Sequence, residues 1–192
     1  MSVLARKITR AKWEPKQGLR TDEIAADAVT ADLRTTGNTL SFWRCSSSSA
    51  DDLRTAFLAM ASSAESLERI DIIYLEENSV HDSGLATKNT PGNTPVESLR
   101  NHHVNVEQLD LARLGTVARM VAAAHRSKSY RTMNKSDVVR VLAEAVDHGL
   151  VNLSNLKDKV KRAVDTALSV DNNPEQSPHS SRISVPSTTK PH

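Results

Sequence analysis

The sequence predicts an α+β fold: a small sheet packed on helices, followed by a C-terminal helical unit and a disordered tail. Three observations carry this. Runs of strand length near residues 3–13, 39–45 and 70–75 are each bounded by turn-forming or helix-opening residues. Elsewhere apolar side chains recur at helical steps, with caps and stops in place. Aromatics make up only 3% of the chain, so the core must be built from Leu, Val, Ile and Ala. That composition favours helices on a small sheet over a large β-sandwich.

Residues 3–13, VLARKITRAKW, mix β-branched and basic side chains and read as an exposed strand ending before Pro15. Thr21 can cap a helix with acids in its first turn, running through an Ala-rich stretch to about Leu33. Residues 39–45 alternate, with Leu40 and Phe42 on one face and Ser41 and Trp43 on the other. After a four-serine run, Leu53, Phe57, Met60, Ala64 and Leu67 follow at steps of four and three, which predicts an amphipathic helix over 50–67. The apolar run 70–75, IDIIYL, reads as a central strand.

Residues 76–95 are polar and contain Gly84, Pro91, Gly92 and Pro95, which reads as a long loop. The loop ends in Thr94-Pro95-Val96-Glu97, a capping box with proline at the first helical position. His102–Val106 reads as one more extended segment. Leu111, Leu114, Ala118, Val121 and Ala124 then mark a buried helical stripe, and residues 126–133 a basic linker. Asn134 caps the next helix, Val138, Leu142, Ala145 and Val146 form its stripe, and Gly149 stops it. Ser154 is expected to cap a last helix carrying Leu156, Val160, Ala163, Val164 and Leu168. The chain thus divides into an α+β domain over 1–101, a basic helical unit over 102–170 and a disordered tail over 171–192. The tail from Asn172 is rich in Pro, Ser and Asn and lacks apolar periodicity.

One cysteine, Cys45, excludes an intramolecular disulfide. Charges run through residues 1–20, which speaks against a signal peptide, and no apolar run approaches the roughly 20 residues that span a bilayer. The expected setting is soluble, intracellular and cytoplasmic, without membrane contact. Net charge is +2, but residues 51–110 carry −7 and residues 111–162 carry +7. Either the two halves dock on one another, or the basic half faces an acidic partner.

Residues 102–149 hold an extended segment, a helix and a second helix opening with Asn-Lys-Ser-Asp-Val-Val-Arg. The arrangement resembles a ribbon-helix-helix repressor. The resemblance implies a two-stranded ribbon in the DNA major groove and a phosphate held by backbone amides at Asn134, Lys135 and Ser136. The extended segment His102–Val106 has no Arg or Lys for reading bases, and the linker from His125 to Met133 is longer than in that family. Charge selects Arg126, Lys128, Arg131, Lys135 and Arg140 as nucleic-acid-binding candidates, and the resemblance adds Ser136. With only Tyr130 among them, a platform for stacking single-stranded bases is not expected.

Arg119 and His125 resemble the arginine-then-histidine spacing of HEPN nucleases, which implies phosphate orientation by the arginine and acid–base work by the histidine. Met120 stands where that family places a polar residue. His102 and His103 are adjacent, and neither CxxC nor HExxH occurs, so no metal site or cofactor is expected; His81 and Asp82 are the remaining candidate ligands. Cys45 stands between a strand and a serine-rich loop, where a nucleophile could sit, but a lone cysteine serves more often as a small buried hydrophobe. Trp13 and Trp43 are candidate partner-interface residues, tryptophan being enriched at hot spots. The function expected is that of a non-catalytic accessory or adaptor protein acting through protein–protein contacts. A nucleic-acid-binding regulator using the basic helical half is the alternative, and an enzyme ranks third. The oligomeric state is left open.

Overall fold

The computed structural model describes residues 1–16, 18 and 23–171. Among them six strands form one antiparallel sheet: β1 Val3–Ile8, β2 Leu40–Cys45, β3 Ile70–Glu76, β4 Ala86–Asn89, β5 His103–Glu107 and β6 Tyr130–Met133. Their order across the sheet is β4-β5-β2-β1-β3-β6. β1 is central, with Leu4 opposite Arg44 on one side and Leu75 on the other. The helices are α1 Arg10–Trp13, α2 Ala26–Asp32, α3 Ala50–Ser62, α4 Glu77–Asp82, α5 Leu111–Arg126, α6 Lys135–Asp147 and α7 Asp158–Asp171.

Period-two alternation sends each strand's side chains to two faces, and both faces are covered. Val3, Ala5, Cys45, Ile70 and Ile72 pack under α3, α6 and α7. Leu4, Ile8, Phe42, Ile73, Leu75, Val104 and Val106 pack under α5, α2, α1 and Val80 of α4. The result is three layers with the sheet in the middle. Leu4, Ile72, Ile73 and Val104 have no exposed surface; burying each such side chain contributes roughly 1.5–3 kcal/mol. Phe42 and Trp43 point to opposite faces, as alternation requires: Phe42 is buried in one core and Trp43 packs against the other.

Several elements depart from the sequence-based expectation, each for a local reason. Residues 10–13 turn helical, because Asp32 accepts the Thr9 N–H and hydroxyl and bends the chain off β1. The helix expected over 50–67 stops at Ser62: Ser62 and Ser63 hydroxyls bond back to Ala59 O, and Leu67 reaches the core from outside the helix. The polar stretch 76–95 contains α4 and the edge strand β4. Thr94 caps no α-helix. Its hydroxyl accepts the Val96 N–H at 3.3 Å and meets Ser62 Oγ at 2.9 Å, and the helix that follows, Glu97–His102, is a 3-10 turn.

The stretch from residue 102 on supplies two strands as well as helices. β5 lies between β2 and β4, and the expected basic linker contains β6, paired to β3. Asp110 caps α5, accepting the Arg113 N–H at 2.8 Å, but Leu111, expected in the buried stripe, is 87% exposed in the first turn. Asn134 and Gly149 act as expected: Asn134 accepts the Asp137 N–H, and Gly149 takes φ +69° to close α6. Ser154 sits in a separate 3-10 turn capped by Asn152, and α7 begins at Asp158. Thr21 and the tail from Asn172 lie outside the described residues. Among the described residues no helix is long and apolar enough to cross a membrane.

Candidate functional site

α6 and α7 form an antiparallel pair on one face of the sheet. α6 buries Val138, Val141, Leu142, Ala143 and Ala145, and α7 buries Val160 and Val164. α6 ends in a Schellman stop, its long bond running from the Leu150 N–H to Ala145 O at 2.8 Å. Half-buried Val139 at the edge of the α6 stripe and buried Ala143 within it meet half-buried Ala163 and Ala167 of α7 along an open groove of about 770 Å³. Its floor is these four small aliphatic side chains. Its rim is polar, with Lys135 and Ser136 at one end and Arg140 and Thr166 alongside.

The rim is electrostatically ordered from within. Arg140 pairs with Asp137 at 3.0 Å and with Glu144 at 3.5 Å, and Asp137 holds its guanidinium above the ordinary value. Glu144 also takes the Arg54 guanidinium from α3, which ties α6 to its neighbour. Lys135 forms no ion pair among the described residues and leaves a free cation at the groove mouth. Ser136 spends its hydroxyl on Asn134 Oδ1 at 2.6 Å, within the cap of α6.

The basic candidates divide. Arg126 ends α5, Lys128 lies in the turn after it, Arg131 is on the edge strand β6, and Lys135, Ser136 and Arg140 are on α6. Arg131 stacks its guanidinium over the Tyr74 ring at 5.9 Å. α5 and α6 cover opposite faces of the sheet, so Arg113 and Arg119 on α5 do not share a surface with Lys157, Lys159 and Arg162 at α7. The ribbon expected at 102–106 has both edges paired within this chain, to β2 and β4, and neither is free to pair with a second copy.

Arg119 and His125 do not converge. They are six positions apart on one helix, roughly 240° around its axis. Arg119 is exposed and bonds Thr116, whereas His125 is 7% exposed, stacked on Tyr130. Cys45 is buried against Thr55, and burial pushes its thiol up. His103 bonds Thr90 and burial pushes it down, His81 bonds Thr87, and His102 contacts the Arg44 carbonyl. No group of three metal-ligating side chains occurs among the described residues.

The tryptophans are both used internally. Trp13 is buried and donates to Asp32 Oδ2. Trp43 lies half-buried beside Gly92, edge-on to the His103 ring at 5.3 Å. A Cβ on Gly92 would stand 2.5 Å from the Trp43 ring, so this approach requires glycine. The groove was the feature that buried-stripe reading misses. Its sequence signal is that Val139 and Ala143 widen the apolar arc of α6 beyond Val138, Leu142 and Ala145. Comparison of the chain with protein-family models, curated proteins and solved structures finds no match.

Proposed function

We propose that this is a non-catalytic accessory protein acting through protein–protein contacts, with the groove between α6 and α7 as its contact surface. The observation that carries the reading is a groove whose aliphatic floor keeps Val139, Ala163 and Ala167 only half-buried on helices otherwise pinned to the core. Apolar surface left open in this way marks interaction sites more often than chance. An amphipathic segment of a partner would lay its apolar side on Val139, Ala143, Ala163 and Ala167. The uncommitted Lys135 favours acidic flanks on that segment.

Val139→Asp and Ala163→Arg alter the groove at half-buried positions, without touching the fully buried stripe. The expected result is a stoichiometric complex isolated from native extract with the parent chain and with the distant Leu111→Ala control, and lost with both groove variants. A complex indifferent to the groove variants, or a chain that always elutes alone, overturns the reading.

Nucleic-acid binding is a second reading supported by a separate observation. Arg126, Lys128, Arg131 and Lys135 are exposed before, on and after β6, and none forms a salt bridge among the described residues. Arg140, by contrast, is occupied by Asp137 and Glu144. Retardation of random duplex at low salt, weakened in a Lys128→Ala, Arg131→Ala, Lys135→Ala triple variant, is the expected result; absence of any shift excludes it.

A further inference from the structure

We propose that the nucleic-acid surface is composite: Arg10 and Lys12 of α1 join Arg126 and Lys128 at the end of α5 to hold the phosphate backbone of a duplex without regard to its sequence. The inference rests on nucleic-acid binding around β6. It adds residues from outside the basic half and names the ligand as double-stranded.

The fold brings these cations together. α1 and α5 cover the same face of the sheet, with Trp13, Val117, Ala118 and Ala122 in one core. Lys12 and Arg126 line one small surface cavity between them. Arg10 lies over Tyr130, the first residue of β6, its guanidinium 5.1 Å from the ring centre. Neither Arg10 nor Lys12 belongs to the basic stretch 111–162. Two carboxylates share the cavity, Glu14 and Glu23. Glu14 lies 3.8 Å from Arg10 and 3.7 Å from His125. Lys16 is offset by Asp27 at 3.3 Å. Lys12, Arg126 and Lys128 form no ion pair among the described residues, so the surface keeps a positive excess.

The backbone at Lys128 is a separate argument. α5 and α6 end in the same stop: the Ser129 N–H reaches Ala124 O at 2.8 Å, as the Leu150 N–H reaches Ala145 O. Its left-handed position is Gly149 in α6 but Lys128, at φ +60°, in α5. A side chain crowds its own backbone there, where glycine does not. Such strain concentrates at positions whose side chain is used. Lys128 is exposed beyond the end of α5.

The neighbouring rings decide the class of nucleic acid. His125 stacks on Tyr130 at 5.3 Å, Arg10 lies over the same ring, and Arg131 lies over Tyr74 at 5.9 Å. Single-strand binding draws on aromatic faces that are free to stack bases. Here the rings are engaged within the chain and charge does the binding. A duplex presents more phosphate per unit length than a single strand.

The test titrates the full chain with a labelled random-sequence duplex oligonucleotide over a range of salt concentrations. Arg10→Gln, Lys12→Gln and Lys128→Gly should each weaken binding several-fold and flatten the slope of log affinity against log salt by about 0.9, the loss of one phosphate contact. Lys12→Arg should keep the parent slope. Lys159→Gln, on α7 across the sheet, should change neither quantity. Lys128→Gly should at the same time raise the thermal midpoint, which the loss of a merely structural lysine would not do. Either strand alone should bind more weakly than the duplex. An unchanged slope in Lys12→Gln or Lys128→Gly, a lowered midpoint in Lys128→Gly, or tighter binding of the single strand overturns the inference. Nucleic-acid binding at β6 then still stands if an Arg131→Ala, Lys135→Ala variant loses affinity for the duplex. A parent chain that binds neither probe overturns both.

Discussion

The Trp13 indole donates its N–H to Asp32 Oδ2 at 2.8 Å, joining the last residue of α1 to the last residue of α2. Asp32 also accepts the Thr9 N–H at 2.8 Å and the Thr9 hydroxyl at 3.0 Å. Nearby, Arg6 donates to the Asp32 carbonyl and lies over the Phe42 ring. Burial brings the Arg6 guanidinium down to about 10, with Asp32 opposing that shift. One buried carboxylate therefore fixes the path by which the chain leaves β1 and returns along α2.

Asp32→Ala leaves three donors without an acceptor and should cost about 3 kcal/mol or more. Trp13→Phe removes one donor, keeps most of the apolar volume, and should cost about 1–2 kcal/mol. Urea denaturation of the two single variants and the double variant measures the coupling directly. Additive losses would mean that the hydrogen bond contributes nothing beyond burial.

Gly92→Ala forces its new methyl into the Trp43 ring and toward the His103 Cβ at 2.8 Å. The expected loss is about 1–3 kcal/mol, since overpacked sites shift side chains and backbone. Adding Trp43→Phe removes the ring atoms that clash and should recover part of that loss. Thermal unfolding reads both, and a Gly92→Ala variant as stable as the parent would contradict the packing described.

The parts of the fold that depend on local pattern were readable in the residues. Leu40 and Phe42 alternate into one core, Asn134 caps α6, and Gly149 takes the left-handed conformation that ends it. The parts set by distant neighbours were not. β4, Ala-Thr-Lys-Asn, and β6, Tyr-Arg-Thr-Met, are short polar edge strands; they exist because β5 and β3 offer hydrogen-bonding partners. Trp13 looked available for a partner because nothing nearby in sequence announces Asp32, nineteen positions on, as its acceptor. The groove was half legible: α6 and α7 were expected as helices, but which apolar residues stay uncovered depends on how the two helices lie together.

Cys45 should resist modification while the protein is folded. It is 2% exposed and burial raises its thiol, which lowers the reactive thiolate fraction. With Ellman's reagent at neutral pH, labelling should follow the rate of unfolding and become immediate in denaturant. Rapid labelling of the native chain would show that the β2–α3 junction opens on its own.

His125 sets an acid limit on stability. Its Nε2 is buried without a hydrogen-bond partner, 3.7 Å from Glu14, and its ring stacks on Tyr130 at 5.3 Å. Burial lowers its pKa from the ordinary 6.5; Glu14 opposes that, while Arg10 and Arg126 add to it. Above pH 6.5 the ring is neutral folded or unfolded, and it contributes no pH dependence. As pH falls through 6.5 the unfolded chain takes up the proton first, so stability drops, and the drop ends below the folded-state value. His125→Phe keeps the stacking and removes the orphaned nitrogen. At pH 8 it should be within about 1 kcal/mol of the parent or more stable. Urea midpoints at pH 8, 7, 6 and 5 should show a shallower acid decline in the variant, with His103, also lowered by burial, supplying what remains. Identical declines in the two chains would mean that His125 finds a partner for its proton in the folded state.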